Sequence, residues 1–197
     1  MSTGSKGAQT RQSILRAAIE RFARDGFRPT SVADIAREAG VSGTLVYAYF
    51  PNKEALFLAA LDEDAADLIQ IAVDHLQDFM DHGDDWRATL LLALVEAIEF
   101  HPLAKRILAG LEPDVTERVL EIPALEELRK LIAERIRGEQ LDGRARRDID
   151  PVVVGSGLVS IFLSLLMSVT QLGPNAIATY APGVMSVMEA ALLPSPK

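Results

Sequence analysis

Between Ser31 and Leu56 the chain carries side chains in a pattern that could read a nucleic acid without any covalent step. Two short stretches of helical spacing flank Gly40-Val41-Ser42. Ile35, Ala36 and Ala39 share one face of the first, and the alanines permit close approach of another helix. Gly40 suits a tight turn, Val41 can plug the angle between the helices, and Val46 and Phe50 anchor the second helix inward. Gly43, Thr44, Tyr47 and Ala48 are then left facing outward, where a major groove could be met. From Ser42 to Phe50 there is no Arg, Lys, Asn or Gln, the side chains that pair bidentately with guanine or adenine. Base reading would therefore rest on apolar contacts of Thr44, Leu45 and Tyr47 with thymine methyls and on single hydrogen bonds from Ser42 and Thr44. An ordinary helical hairpin shares this outline and is the competing reading.

Other candidate chemistries are thin. The chain has no cysteine, which excludes disulfides, Cys-ligated zinc and thiol catalysis. His75, His82 and His101 are its three histidines. Asp74, Asp78 and His82 fall on one helical line that could seat a metal, but a solvated acidic face is the simpler account. Asp62, Glu63, Asp64 and Asp67 read the same way. Gly155-Ser156-Gly157 lacks the preceding strand and the flanking residues of a nucleophile elbow. Neither an enzyme nor a bound metal or cofactor is expected.

The elements that must position these residues are helices, since helical spacing dominates and no strand-like alternation is present. Ile14, Leu15, Ala18 and Phe22 mark a first helix, capped by Thr10 and closed by Gly26. Thr30-Ser31 opens a second ending at Gly40, Ser42 caps a short third, and Asn52 caps a long fourth reaching towards Phe79. His82 to Asp85 separates this from an apolar helix between Trp86 and Phe100. Pro102 begins a short piece ending near Gly110. Leu125, Leu128, Ile132 and Ile136 mark a helix stopping at or shortly after Gly138. Asp150-Pro151 starts a helix to about Leu172, and Gly173-Pro174 precedes the last, Asn175 to Leu192. The expected fold is all-α with about nine helices.

With 49% hydrophobic and 24% charged residues the 197-residue chain can bury a core. The net charge of −8 conceals a split. Residues 1–60 hold eight basic and five acidic residues, or +3, leaving −11 for the remainder. That is the distribution expected when only one end meets phosphate. The charged, amphipathic first thirty residues do not read as a signal peptide, which favours the cytoplasm.

The stretch Thr30-Ser31, Asp34-Ile35-Ala36, Ala39-Gly40-Val41-Ser42 and Tyr47-x-Tyr49-Phe50-x-Asn52-Lys53-Glu54-Ala55-Leu56 resembles the N-terminal region of the TetR family of bacterial regulators. Phe22, Gly26 and Phe27 before it also fit. Further on, Leu141-Asp142-Gly143 and Asp148-Ile149-Asp150-Pro151 are similar. The resemblance implies a three-helix helix-turn-helix domain, placed at residues 8–55, and a helical ligand-binding and dimerisation domain at 56–193. It implies that Lys53 contacts phosphate, that Tyr47 and Tyr49 touch phosphate and thymine methyls, that Thr30 and Ser31 lie beside the backbone, and that Gly43, Thr44 and Leu45 face bases. Leu45 departs from the family in standing where a polar reader is common. The implied function is a ligand-responsive regulator, a repressor binding a palindromic double-stranded operator as a homodimer and released by a small effector.

From Pro151 to Met188 there is no charged residue. A membrane span is one reading, but Gly155, Gly157 and the serines argue against it, as does the missing aromatic belt. No membrane partner is expected. Ser156, Ser160, Ser164 and Ser168 recur every four residues as a ridge that lets a helix approach closely. That helix could be in the same subunit or in a partner, and the family's dimer of paired terminal helices favours the partner. Trp86, Leu90, Leu94, Ile98, Leu103, Ile107 and Met167 are candidates to line a cavity for a mostly apolar effector, with plain core as the alternative for each. Glu96, Glu99, Gln171 and Tyr180 are candidate polar contacts to it.

Overall fold

In a computed structural model, residues 3–78, 86–115, 121–173 and 175–194 are described, and these hold nine α-helices and no strand. The first four are α1 (Thr3–Asp25), α2 (Val32–Glu38), α3 (Gly43–Tyr49) and α4 (Lys53–Asp78). The body follows as α5 (Trp86–Ala97), α6 (Pro102–Leu108), α7 (Pro123–Leu141), α8 (Pro151–Leu172) and α9 (Asn175–Leu192). Most boundaries follow local chemistry. Ser31 Oγ accepts from Asp34 N, Ser42 Oγ from Leu45 N, Asn52 Oδ1 from Ala55 N, and Asp150 from Val152 N, so each side chain satisfies a first-turn donor that the helix leaves orphaned. Gly26 and Gly40 take φ of 86° and 68°, the left-handed backbone that a Cβ disfavours.

Two boundaries differ from expectation. Thr10 does not cap α1, which begins about two turns earlier, and its Oγ1 donates to Lys6 O. α7 ends at Leu141, shortly after Gly138 as expected, because its buried positions continue to Glu139. The apolar helix after Trp86 closes at Ala97, with Ile98–Phe100 in a 3-10 turn. The expected boundary at His82–Asp85 lies outside the described residues.

The N-terminal helices and the body share one core. Ile14, Leu15, Ala18 and Phe22 of α1 pack with Leu56, Phe57 and Leu61 of α4, and the same cluster continues through Leu68 and Leu76 into α5 to α8. Phe57 meets both Phe22 and Phe27 edge-on at 5.0 Å, a favoured aromatic geometry. α2 is strapped to α1 by Arg21, which pairs with Asp25 at 2.6 Å and Glu38 at 2.7 Å. α8 rests on α7 where Gly155 lies against Ala133, close enough that a Cβ would sit 3.2 Å from the Ala133 nitrogen.

Asp64 overturns the expected solvated acidic face of α4. It is buried, with Oδ2 accepting from Leu103 N at 2.9 Å and Ala104 N at 2.8 Å and Oδ1 3.2 Å from His101 Nδ1. It therefore caps α6 from a different helix, and His101 at the N-cap position makes no side-chain cap bond of its own. Burial raises the Asp64 carboxyl above its ordinary value, against the lowering effect of the two N–H donors and His101. A raised folded-state pKa means the native state holds the proton more tightly, so this group's contribution to stability declines as pH rises from the ordinary aspartate value through the raised one. We expect Asp64→Ala to cost about 2–3 kcal/mol by leaving two buried N–H groups without an acceptor, measurable by urea unfolding at neutral pH. An unchanged midpoint would show that α6 does not depend on this cap.

Candidate nucleic-acid interface and effector cavity

α3 presents the face anticipated from its spacing. Val46 and Phe50 are buried, whereas Thr44, Leu45, Tyr47 and Ala48 are exposed, Tyr47 at 54% and Leu45 at 38%. Ser42 is exposed at the N-cap and Gly43 is half-buried beside it. Large apolar groups left in water on a short helix have no stabilising role in the monomer. They form a surface that methyl groups of thymine could complete. Tyr49 is half-buried against Phe50, with its hydroxyl beside Gly7 of α1. The Arg11 guanidinium lies 5.4 Å from the Phe50 ring centre, which places a cation on the flank of α3.

Two residues expected at phosphate have other positions. Thr30 is 2% exposed, and its hydroxyl donates to Gly26 O at 2.7 Å. The Lys53 ammonium donates to Phe27 O at 2.8 Å, Thr30 O at 3.0 Å and Arg28 O at 3.2 Å, and sits 4.4 Å over the Phe27 ring. An ammonium has three protons, and here three carbonyls of the α1–α2 loop take them. Lys53 thus closes that loop onto α4, a role that needs the loop folded back and left no local sign in the sequence. Ser31 is exposed, with its hydroxyl bonded both ways to Asp34.

The body contains an apolar cavity of about 60 Å3 between α4, α6, α7 and α8. Of the seven residues expected to line it, Leu94 and Ile107 do. Trp86, Leu90, Ile98 and Leu103 are buried core, and Met167 is half-buried beside it. Trp86 is held elsewhere by its Nε1, which donates to the buried Glu139 at 2.9 Å. The lining comes instead from Leu61, Ala65 and Leu68 of α4, Leu128 of α7 and Val159 and Phe162 of α8, with others. All are apolar. None of the four candidate polar contacts reaches it: Glu96 and Tyr180 are exposed, Glu99 pairs with Lys105, and Gln171 donates to Leu108 O. Sequence periodicity marks these helices as apolar, but which apolar face meets a void depends on their packing.

The serine ridge is not covered within the subunit. Ser160 and Ser164 are exposed, Ser156 and Ser168 are half-buried, and Ser160, Ser164 and Ser168 each donate to the carbonyl four residues earlier. Their hydroxyl protons are thereby satisfied inside α8, leaving a smooth small-residue surface. A groove runs between this ridge and Tyr180 and Val184 of α9, and Val153 of α8 and Val187 of α9 are also exposed. α8 is long and apolar enough to cross a membrane by length and composition, yet one face is spent on the core. Among the described residues no group of His, Asp and Glu is arranged to hold a metal. The Asp74, Asp78 and His82 line lies partly outside them, and Asp74 accepts from Gln70 Nε2.

Two short helices around a glycine turn, an outward apolar and hydroxyl face, and a helical body with an apolar void define a protein of the helix-turn-helix transcriptional-regulator class. Residues 14–60 match the family of bacterial regulatory proteins, tetR family. RutR of Escherichia coli is 47% identical over 51 residues, 26% of this chain and 24% of that protein. The uncharacterised regulator YdgC of Bacillus subtilis is 25% identical over 193 residues, 96% of each chain. The crystal structure of a candidate TetR-family regulator from Mesorhizobium loti superposes with a TM-score of 0.73 at 20% identity, covering 95% of this chain and 98% of that one. The N-terminal helix-turn-helix region of this chain is that of the TetR family.

Tyr47→Ala and Thr44→Ala are expected to change preference at individual thymine positions by ~1–3 kcal/mol, read by binding selection on randomised sites. Lys53→Met should act differently, lowering stability by about 2 kcal/mol through three lost hydrogen bonds and weakening all DNA sequences alike. A Lys53→Met variant that melts with the wild type would return that lysine to a direct phosphate role.

Proposed function

We propose that this protein is a cytoplasmic repressor that binds a two-fold symmetric operator as a homodimer and releases it on taking up a small apolar effector. In this reading residues 8–55 meet DNA, and 56–193 supply effector binding and dimerisation. The observation that carries it is the exposed Thr44, Leu45, Tyr47 and Ala48 face above the buried Val46 and Phe50. A reading unit of some 50 residues gains affinity and register from a second copy, and two copies reading one groove face sit roughly 34–36 Å apart. The open α8–α9 groove supports the second copy, because the Pro151–Met188 segment offers it no charge to desolvate.

The repressor sign is supported by AcnR of Corynebacterium diphtheriae, named a transcriptional repressor and 33% identical over 88 residues, 46% of that protein. The effector class is supported by the all-apolar cavity. A structure of Thermus thermophilus FadR holds lauroyl-CoA and superposes with a TM-score of 0.62 at 23% identity, over 95% of this chain. An effector confined by apolar walls gains from burial and makes no polar demand on the lining. If it shifts the separation of the reading heads, effector and DNA must weaken each other reciprocally.

Selection from randomised duplexes should enrich a palindrome, and enrichment of sites without two-fold symmetry would remove the dimeric reading. Ser164→Arg, which places a charge in the groove, should sediment as a monomer and bind that duplex at least tenfold more weakly. A Ser164→Arg protein that remains dimeric would move the interface away from α8.

A further inference from the structure

The loop joining α1 to α2 is gripped from both sides, and one grip comes from the body. Glu112 stands just after α6, 85 positions from Phe27 in the chain, yet its Oε1 accepts from Phe27 N at 3.1 Å. The same oxygen accepts from Arg106 Nε at 2.8 Å. Arg106 also reaches Ala23 O at 3.4 Å, in the last turn of α1, where carbonyls lack helical partners and favour a cation. From the opposite side Lys53 takes the Phe27 carbonyl at 2.8 Å and covers its ring. Both backbone groups of Phe27 are therefore held, the N–H by the body and the C=O by the foot of α4.

The surroundings show that the grip is built. Gly26 has φ of 86°, and a Cβ there would lie 2.7 Å from Arg106 Nη2 and 2.8 Å from Glu112 Oε1. Glycine is thus favoured by its backbone, and a side chain there would have to displace the ion pair. The pair is mostly shielded, with side chains 21% and 14% exposed, so it is screened less than a surface pair. Arg28 and Asp114 nearby pair at 3.0 Å but are 83% and 74% exposed, the kind of contact that contributes little.

We propose that Glu112 is a positioning residue for DNA binding, fixing the angle of the reading head against the body by holding Phe27 N–H while Lys53 holds its carbonyl. The proposal rests on the DNA-reading assignment of α3. α2 leads directly from this loop into the turn before α3, so a rotation at Phe27 displaces the Thr44–Ala48 face without unfolding it. The cost of such freedom falls on operator affinity, since two heads must meet one duplex in fixed register.

The test uses the full chain and a duplex enriched from randomised sites by the wild type. Glu112→Ala, Glu112→Gln and Asp114→Asn are compared for duplex affinity, thermal midpoint and amide exchange at Phe27. Glu112→Ala should bind at least tenfold more weakly and exchange Phe27 N–H at least tenfold faster. Glu112→Gln keeps an oxygen for that N–H and should recover most of the affinity, and Asp114→Asn should match the wild type. Should the alanine variant fold poorly, the glutamine variant still decides the matter: normal melting with near-normal affinity and protected Phe27 supports the positioning role. Equal losses in affinity for Gln and Ala, or wild-type affinity in Glu112→Ala with faster Phe27 exchange, overturn it. A wild type that enriches no duplex overturns the DNA-reading assignment itself, whereas the other failures leave that assignment standing.

Discussion

Everything in this molecule depends on one unbroken helix that buries an apolar face along most of its length. α4 spans 26 residues, about 39 Å at 1.5 Å per residue. Its apolar stripe serves α1 at one end through Leu56, Phe57 and Leu61 and lines the apolar cavity through Leu61, Ala65 and Leu68. Because Leu61 belongs to both sets, no soft boundary lies between the reading head and the body. A core packed to interior density transmits small displacements rather than absorbing them.

Polar contacts then fix what the apolar seam leaves free. A helix in a hydrophobic core can slide or rotate at modest cost, because burial is non-directional. Asp64 pins the start of α6 to α4, Lys53 pins the α1–α2 loop to the foot of α4, and Glu112 with Arg106 pins that loop to the end of α6. Each satisfies backbone groups that a helix terminus or turn leaves exposed. The three lie along a closed path from α4 to α6 to the loop and back, with the cavity on one side of α6 and α1 on the other.

The reading face follows a different economy. It carries no residue suited to bidentate base recognition, and its exposed apolar groups are stable only because there are few of them on a short helix. The basic surplus of residues 1–60 supplies attraction to phosphate that carries no sequence information. On the proposed reading, specificity falls to shape, thymine methyls and the spacing of two heads, and the geometry set by the three pins becomes part of recognition.

The sequence by itself determined whatever is encoded over one or two helical turns. The caps at Ser31, Ser42, Asn52 and Asp150, the turn at Gly40, the inward Val46 and Phe50 and the outward Thr44, Leu45, Tyr47 and Ala48 are all local, and periodicity exposes them. Tertiary structure alone decided which residues work across distance. Asp64 reads as a surface carboxylate until α6 arrives with two free N–H groups. Thr30 reads as a cap until the loop folds back, and Lys53 reads as a free cation until three carbonyls converge on it. Trp86 reads as a pocket wall until Glu139 takes its N–H. Lys53 meets its carbonyls across 23 to 26 residues, Asp64 its amides across 39 and 40, and Glu112 its partner across 85. No pattern with a period of three or four residues carries such pairings, because the partners' positions are set by how the helices pack.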